Sequence, residues 1–318
     1  MASSLVVPPC WQDGGVDTTM IIILSLFMSR PLLPPLLVSV VALLGFAGQP
    51  ARAAKPVVVA VDGTLCDLTR TMAADQASVV CLIPPGGDPH GYRLKPSDRQ
   101  AISQAALVLH VGFGLTPAVS KLRSPGTIVA VGEVALPNYK GSDPHVWHDP
   151  ANSAAMVRVI RQSMSSVLPS SERALLDARA VRAAAVFNAL QSWGANQIAS
   201  IPASQRVFVT DHKTYSHLEK RFGIKEISML DSHTTGGVLR PSSLRKISDV
   251  IKQSGAKVIF TPSFPPSKTL RRISKSTGLP IASNPLYGEG VAAGQSAIST
   301  ATLNICTIVN AHGGAGSR

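Results

Sequence analysis

Two sets of short β-branched runs, each alternating with helical patterns and separated by one long helical stretch, constrain this chain more than any other feature. VVVAV (57–61), SVVCLI (78–83), LVLHV (107–111) and TIVAV (127–131) are short, mostly apolar runs rich in valine and read as four buried strands of a parallel sheet. After Asp149-Pro150, with proline suited to a first helical turn, helical character runs on through RALLDARAVRAAAVFNALQSWGANQIA. RVFVT (206–210), IKEISML (224–230), KVIF (257–260) and LPIAS (279–283) then resume the alternation. The expected fold is α/β: two doubly wound lobes with mainly parallel sheets, bridged by a long rigid helix. The expected boundaries are 54–168 for the first lobe, 169–204 for the linker helix and 205–318 for the second lobe. No short-period repeat is present, which excludes a solenoid.

The start of the chain reads as an export signal. From Met28 the sequence runs Met-Ser-Arg, then an apolar stretch from Leu32 to Phe46, then GQPARAA. A charged start, an apolar run of about fifteen residues and an A-x-A site make a cleavable secretory signal, with cleavage expected after Ala53. A membrane span needs about twenty apolar residues, more than this proline-rich run offers. The true start is expected at Met28, residues 1–27 being upstream sequence without a structural role. Cys10 precedes the apolar run and so is not a lipid-modified cysteine at a cleavage site. The expected location is the periplasm.

The formal net charge is +12, and beyond residue 204 fifteen Lys and Arg face six Asp and Glu. A basic chain invites a nucleic-acid reading, but these cations are spread over helix-like stretches without interleaved aromatics, so no nucleic-acid partner is expected. Of the four cysteines, Cys66, Cys81 and Cys306 survive the expected processing. Cys66 and Cys81 either pair or remain buried thiols, and the odd count leaves one over. No CxxC is present, which argues against a thiolate metal site.

Two heptapeptides share an Asp-Pro-His core: GGDPHGY (86–92) and GSDPHVW (141–147). Proline fixes its own φ and pushes the preceding residue out of helical space, so His90 and His145 each follow a stiff segment. In open α/β sheets, ligands bind beyond the carboxyl ends of the strands. His90 follows the second strand and His145 the fourth, which places both on one rim. In the second lobe, VFVTDHKTY puts His212 at the corresponding rim, and NPLYGEG brings Glu289 there. If the lobes face each other, three imidazoles and one carboxylate converge on a cleft. That donor set favours zinc, with manganese next. Asp88, Asp143 and Asp211 stand beside these histidines and either orient them or cap turns; capping is the favoured reading.

In this order the segments GGDPHGYRLKPSDRQ, DPHVWHDPANSAAM, VTDHKTYSHLEKRFGI, KVIFTPSFPPSKTLRRISKSTGLP and LYGEGVAAGQSAISTATLNICTIVNAHGG closely resemble the zinc/manganese class of ABC-transporter solute-binding proteins. The likeness covers nearly all of residues 55–314. It implies two lobes bridged by a rigid helix and a metal ion captured at their interface for delivery to a membrane permease, in a monomeric protein that is not an enzyme. It implies His90, His145 and His212 as imidazole ligands and Glu289 as the acidic fourth. Many relatives carry Asp there, so Glu289 adds a methylene or leaves the fourth position to water. Zinc-specific members often have a long His-rich loop between the first two histidines, whereas residues 91–144 contain only His110. Histidine at 212 favours zinc, because manganese members tend to have an acid there.

The remaining histidines have plainer expected roles. His148 begins the helix after His145 and points elsewhere. His110 packs within a strand, His217 faces solvent on a helix, His233 lies in the loop DSHTTGGVLRP, and His312 belongs to a frayed tail. A secreted zinc hydrolase, with Glu289 as general base, is the alternative from another class, but no HExxH is present.

Overall fold

The computed structural model describes Cys10, residues 54–230 and residues 241–314. The proposed signal segment, the start at Met28, and His233 lie outside the described residues. The first lobe begins β1 (Val57–Ala60), α1 (Gly63–Ala73), β2 (Ser78–Cys81), α2 (Pro96–Gln104), β3 (Leu107–His110), β4 (Thr127–Ala130) and α3 (Val131–Ala135). Its four strands are all parallel and lie in the order β2-β1-β3-β4. The order reverses between β1 and β3, which opens a crevice at their carboxyl ends. The strands read apolar because both faces are covered. Val58, Ala60, Leu107 and Leu109 face one core, and Val59, Val61 and Val108 face another.

A one-turn 3₁₀ segment at Val146–His148 leads into α4 (Pro150–Ser165), where Asp149 is the N-cap and accepts the Ala151 amide. The long helix follows as α5 (Arg173–Ala199), about 40 Å at 1.5 Å per residue. Leu176, Ala180, Ala183, Phe187, Leu190, Gly194 and Ile198 are its buried stripe, spaced three and four apart. This stripe packs on α1 and α4 of the first lobe, and on α6 (Ser216–Phe222) and α9 (Ala297–Ala311) of the second. One core cluster accordingly runs through both lobes along α5, from Leu65 and Met156 to Phe208 and Ile308.

The second lobe contains β5 (Val207–His212), β6 (Lys225–Leu230), α7 (Pro241–Gln253) and α8 (Lys268–Thr277) besides α6 and α9. β5 and β6 are parallel. The two further strands expected at 257–260 and 279–283 are reduced to single parallel bridges, Val209 with Ile259 and Ile259 with Ile281. Each run keeps its place in the layer, giving the same spatial order as the first lobe, but pairs through too few residues to form a ladder. None of the described helices is long and apolar enough to cross a membrane.

Two disulfides are present. Cys66 on α1 bonds Cys81 on β2, which decides between pairing and free thiols. Cys306, expected as the leftover thiol, bonds Cys10, and no described cysteine is free. This corrects the expectation that everything before residue 28 lies outside the fold: Cys10 is buried in the main core and its amide donates to Gln197 Oε1 at 3.3 Å. A pair 296 residues apart leaves no local trace in sequence.

Candidate metal centre

All four expected residues sit where strands of the two lobes end. His90 lies in the loop after β2, His145 immediately before the 3₁₀ turn, and His212 is the last residue of β5. Glu289 is carried on the loop before α9, and that loop is fastened to the first lobe. Gly86 donates its amide to Val291 O at 2.9 Å, and the Ala297 amide donates to Asp67 Oδ2 at 2.8 Å. Gly290 adopts φ +59°, and a Cβ built on it would stand 3.3 Å from the Cα of Gly63. Glycine is therefore needed there for backbone approach as well as for dihedral freedom.

The side chains meet at one point. Glu289 Oε1 lies 3.3 Å from His90 Nε2, 3.1 Å from His145 Nε2 and 2.9 Å from His212 Nε2. His90 Nε2 and His145 Nε2 are 3.1 Å apart. One donor atom from each of the four falls within 4.8 Å of all the others. An ion held by four tetrahedral donors at about 2.0–2.2 Å sets donor separations of about 3.3–3.5 Å, close to the contacts seen. His145 and His212 are buried, and the Glu289 side chain is 11% exposed. Lone pairs of three imidazoles and a carboxylate, gathered this tightly and shielded from water, call for a cation.

The charges around the cluster agree. Burial opposes a charge on His145, His212 and Glu289, but mutual attraction outweighs it. The Asp143 and Glu289 carboxylates hold His145 above the ordinary imidazole pKa, and Asp211 and Glu289 raise His212 to about 10. Glu289 itself is held well below the usual carboxylate range by His145, His212 and His90. Its Oε2 is buried without a hydrogen-bond partner among the described residues.

The flanking acids divide by role. Asp143 Oδ1 lies 2.7 Å from His145 Nδ1 and also accepts the His145 amide, while Oδ2 accepts the Ser216 amide of the other lobe. Asp211 Oδ1 lies 3.1 Å from His212 Nδ1. Both turn Nε2 toward the cluster, so the expectation that turn capping dominates is corrected for these two. At Asp88 the capping reading stands: its Oδ1 accepts the His90 amide at 2.8 Å, while His90 Nδ1 has no hydrogen-bond partner among the described residues.

Three contributors had no motif to reveal them. Thr214 places Oγ1 2.7 Å from His212 Nε2, beside the donor cluster. Glu226 is buried behind it, accepting Thr210 Oγ1 and the amides of Thr214 and Tyr215, and so ties down the turn after His212. Burial raises the Glu226 carboxyl to about 6 against those three donors. Asn304 on α9 brackets Tyr287, accepting its amide and donating to its carbonyl, at the base of the Glu289 loop. A polar residue amid apolar neighbours was the available signal for Glu226 and Asn304; Thr214 offered only its nearness to His212.

His148 is buried outside the cluster, its Nε2 2.9 Å from Gly288 O, and burial drives its pKa down to about 4. His110 ends β3 half-buried, its pKa lowered by burial. His217, expected to face solvent, is instead buried between the lobes, with Nε2 3.2 Å from Asp143 O and Nδ1 3.2 Å from Asn152 Nδ2. His312, expected in a frayed tail, is buried at the end of α9, with Nδ1 2.7 Å from Ile308 O and Nε2 3.1 Å from Val207 O. Both departures have one cause: tertiary hydrogen bonds recruit a ring that local sequence leaves unassigned.

Comparison with known proteins fits this geometry. The manganese-binding lipoprotein MntA of Halalkalibacterium halodurans is 28% identical over 236 residues, 71% of this chain and 77% of MntA. The iron-binding protein YfeA of Yersinia pestis is 27% identical over 241 residues, 72% of this chain and 77% of YfeA. The solved structure of the periplasmic zinc-binding protein TroA of Treponema pallidum superposes with a TM-score of 0.75 at 24% identity, covering 81% of this chain and 99% of TroA. Residues 58–311 match the family described as zinc-uptake complex component A, periplasmic. The chain therefore belongs to the ZnuA family, the metal-binding solute-binding proteins of ABC transporters, which are transport proteins and not enzymes.

Proposed function

We propose that the chain captures a divalent metal ion, zinc above others, between its lobes through His90, His145, His212 and Glu289, and delivers it to the membrane permease of an ABC transporter outside the cytoplasm. The observation that carries this reading is the gathering of one donor atom from each of His90, His145, His212 and Glu289 within 4.8 Å of one another, with Glu289 Oε1 2.9–3.3 Å from all three Nε2 atoms. Imidazole nitrogen suits zinc better than the harder ions, and three nitrogens with one carboxylate make a closed shell for it. Capture requires the rings deprotonated at Nε2, and Asp143 and Asp211 turn that atom inward while holding Nδ1. The family description and the names of TroA and MntA support an extracytoplasmic metal carrier, and the Cys66–Cys81 disulfide suits an oxidising compartment.

Manganese is the second reading. Glu289 Oε2 has no partner and the Thr214 hydroxyl stands beside His212 Nε2, so two more oxygens lie near enough to extend the shell toward the higher coordination that harder ions take. MntA and YfeA carry manganese and iron in their names. Isothermal titration of the metal-stripped protein with zinc, manganese and ferrous iron decides between them. The expected result is tightest binding of zinc, with His212→Glu shifting the preference toward manganese. Tighter manganese than zinc binding by the unaltered chain would overturn the zinc assignment.

Release does not call for a wide hinge. Arg221 on α6 makes a bidentate bridge to Asp149 at 2.7 Å through both nitrogens, and Ser216 and His217 dock on Asp143. With α5 packed on both lobes, these contacts favour a small shift or a loop rearrangement at the permease.

A further inference from the structure

The proposed cargo site uses none of the positive charge of the second lobe, and that charge is concentrated on one surface. α7 and α8 pack side by side on the outer face of the β5–β6 layer, away from α5. Their apolar sides, among them Ile251, Leu270 and Ile273, are buried against Val209, Ile227 and Ile259. From residue 241 to residue 278 the sequence holds eight Lys and Arg against a single acid, Asp249, and all nine are exposed. The lobe's other described acids are elsewhere: Asp211 and Glu289 at the candidate centre, Glu226 behind it, and Glu219 on α6.

A solvated helix normally mixes charge signs three and four residues apart. On α8 the four cations Lys268, Arg271, Arg272 and Lys275 stand at i, i+3, i+4 and i+7, a stripe of one sign. Like charges at that spacing destabilise the helix unless something anionic lies against them. The loop before α8 adds an apolar projection, Phe264, which is 51% exposed. Arg271 donates to Pro266 O in that loop, so stripe and projection form one surface. The one-signed stripe of α8, with an exposed aromatic at its edge, fits a sheet of lipid phosphates, with the ring entering the headgroup layer.

We propose that the α7–α8 face docks on an anionic lipid bilayer, holding the protein against the membrane in which a permease sits. The interaction is independent of which ion the cleft takes. Each cation brought to an anionic bilayer multiplies the binding constant about fivefold.

The test is co-sedimentation of the full chain with vesicles of phosphatidylcholine alone and of three parts phosphatidylcholine to one part phosphatidylglycerol, at about 50 mM and about 500 mM salt. Binding is expected to the mixed vesicles alone, lost at the higher salt, and about 25-fold or more weaker in the Arg272→Glu/Lys275→Glu pair. The pair Lys121→Glu/Arg123→Glu, exposed on the first lobe, is expected to bind as the unaltered chain does, and both pairs are expected to retain zinc binding in titration. No sedimentation with mixed vesicles at low salt, equal binding to neutral ones, or equal loss in the first-lobe pair overturns the proposal. So does retention by DNA or an acidic protein without any by vesicles.

Discussion

The Asp143 carboxylate stands 2.7 Å from His145 Nδ1 and at the same time accepts the amide of Ser216 from the opposite lobe. One buried side chain thus sets the orientation of a ring in the candidate centre and ties the two halves that form it. Asp143→Asn keeps the size but removes the charge that favours a proton on Nδ1 and a free lone pair on Nε2. Zinc affinity is expected to fall about 10- to 100-fold, measured by titration with a chromophoric chelator. An unchanged affinity would show that ring orientation is set by packing alone.

The histidines beside and within the cluster should separate by function. His90→Ala or His212→Ala removes a donor at the shared point, and affinity is expected to drop more than about 100-fold. His148 bonds Gly288 O and packs its ring on Tyr215, outside the cluster, so His148→Ala is expected to cost about tenfold or less through a looser Glu289 loop. Equal losses for His148 and His90 would contradict the ligand set.

Burial raises the Glu226 carboxyl to about 6 from its ordinary 4.5. The sign follows directly. A carboxyl that holds its proton more tightly when folded favours the fold below the unfolded value, and that advantage is lost as pH rises through about 6. Relative to Glu226→Gln, which does not titrate, the unaltered chain is expected to lose about 1.5 kcal/mol between pH 4.5 and pH 6.5. Urea unfolding of both proteins across that range checks it, and a constant difference would refute the assignment.

The Cys66–Cys81 bond closes a short loop between α1 and β2. Its removal in Cys66→Ala/Cys81→Ala is expected to lower stability by about 3 kcal/mol, or about 6–12 °C in Tm. Scanning calorimetry measures this, and a change under about 1 kcal/mol would mean that the loop is already ordered in the unfolded chain.

What sequence could reveal followed from how local each cause was. The first-lobe strands were legible because each is a short, mostly apolar run, with the central β1 and β3 buried and β2 and β4 at the sheet edges, and His90 and His145 because an Asp-Pro step stiffens the approach to each. The runs at 257–260 and 279–283 carry the same apolar signal, yet they pair only through isolated bridges at Ile259 and Ile281, since ladder length depends on neighbours far along the chain. Glu226 sits in a strand beside exposed Lys225, and nothing local shows that its side chain turns inward to three donors. Local sequence points His217 to solvent and His312 to a frayed tail because their partners, Asp143 O and Val207 O, lie 74 and 105 residues away.

The central claim is that one divalent ion binds where the two lobes meet. Crystals of the zinc-loaded protein, measured on both sides of the zinc absorption edge, test it most directly. A single strong anomalous peak is expected about 2.0–2.2 Å from Nε2 of His90, His145 and His212 and from a Glu289 carboxylate oxygen. A peak bound to other side chains, or none between these four, would contradict the account.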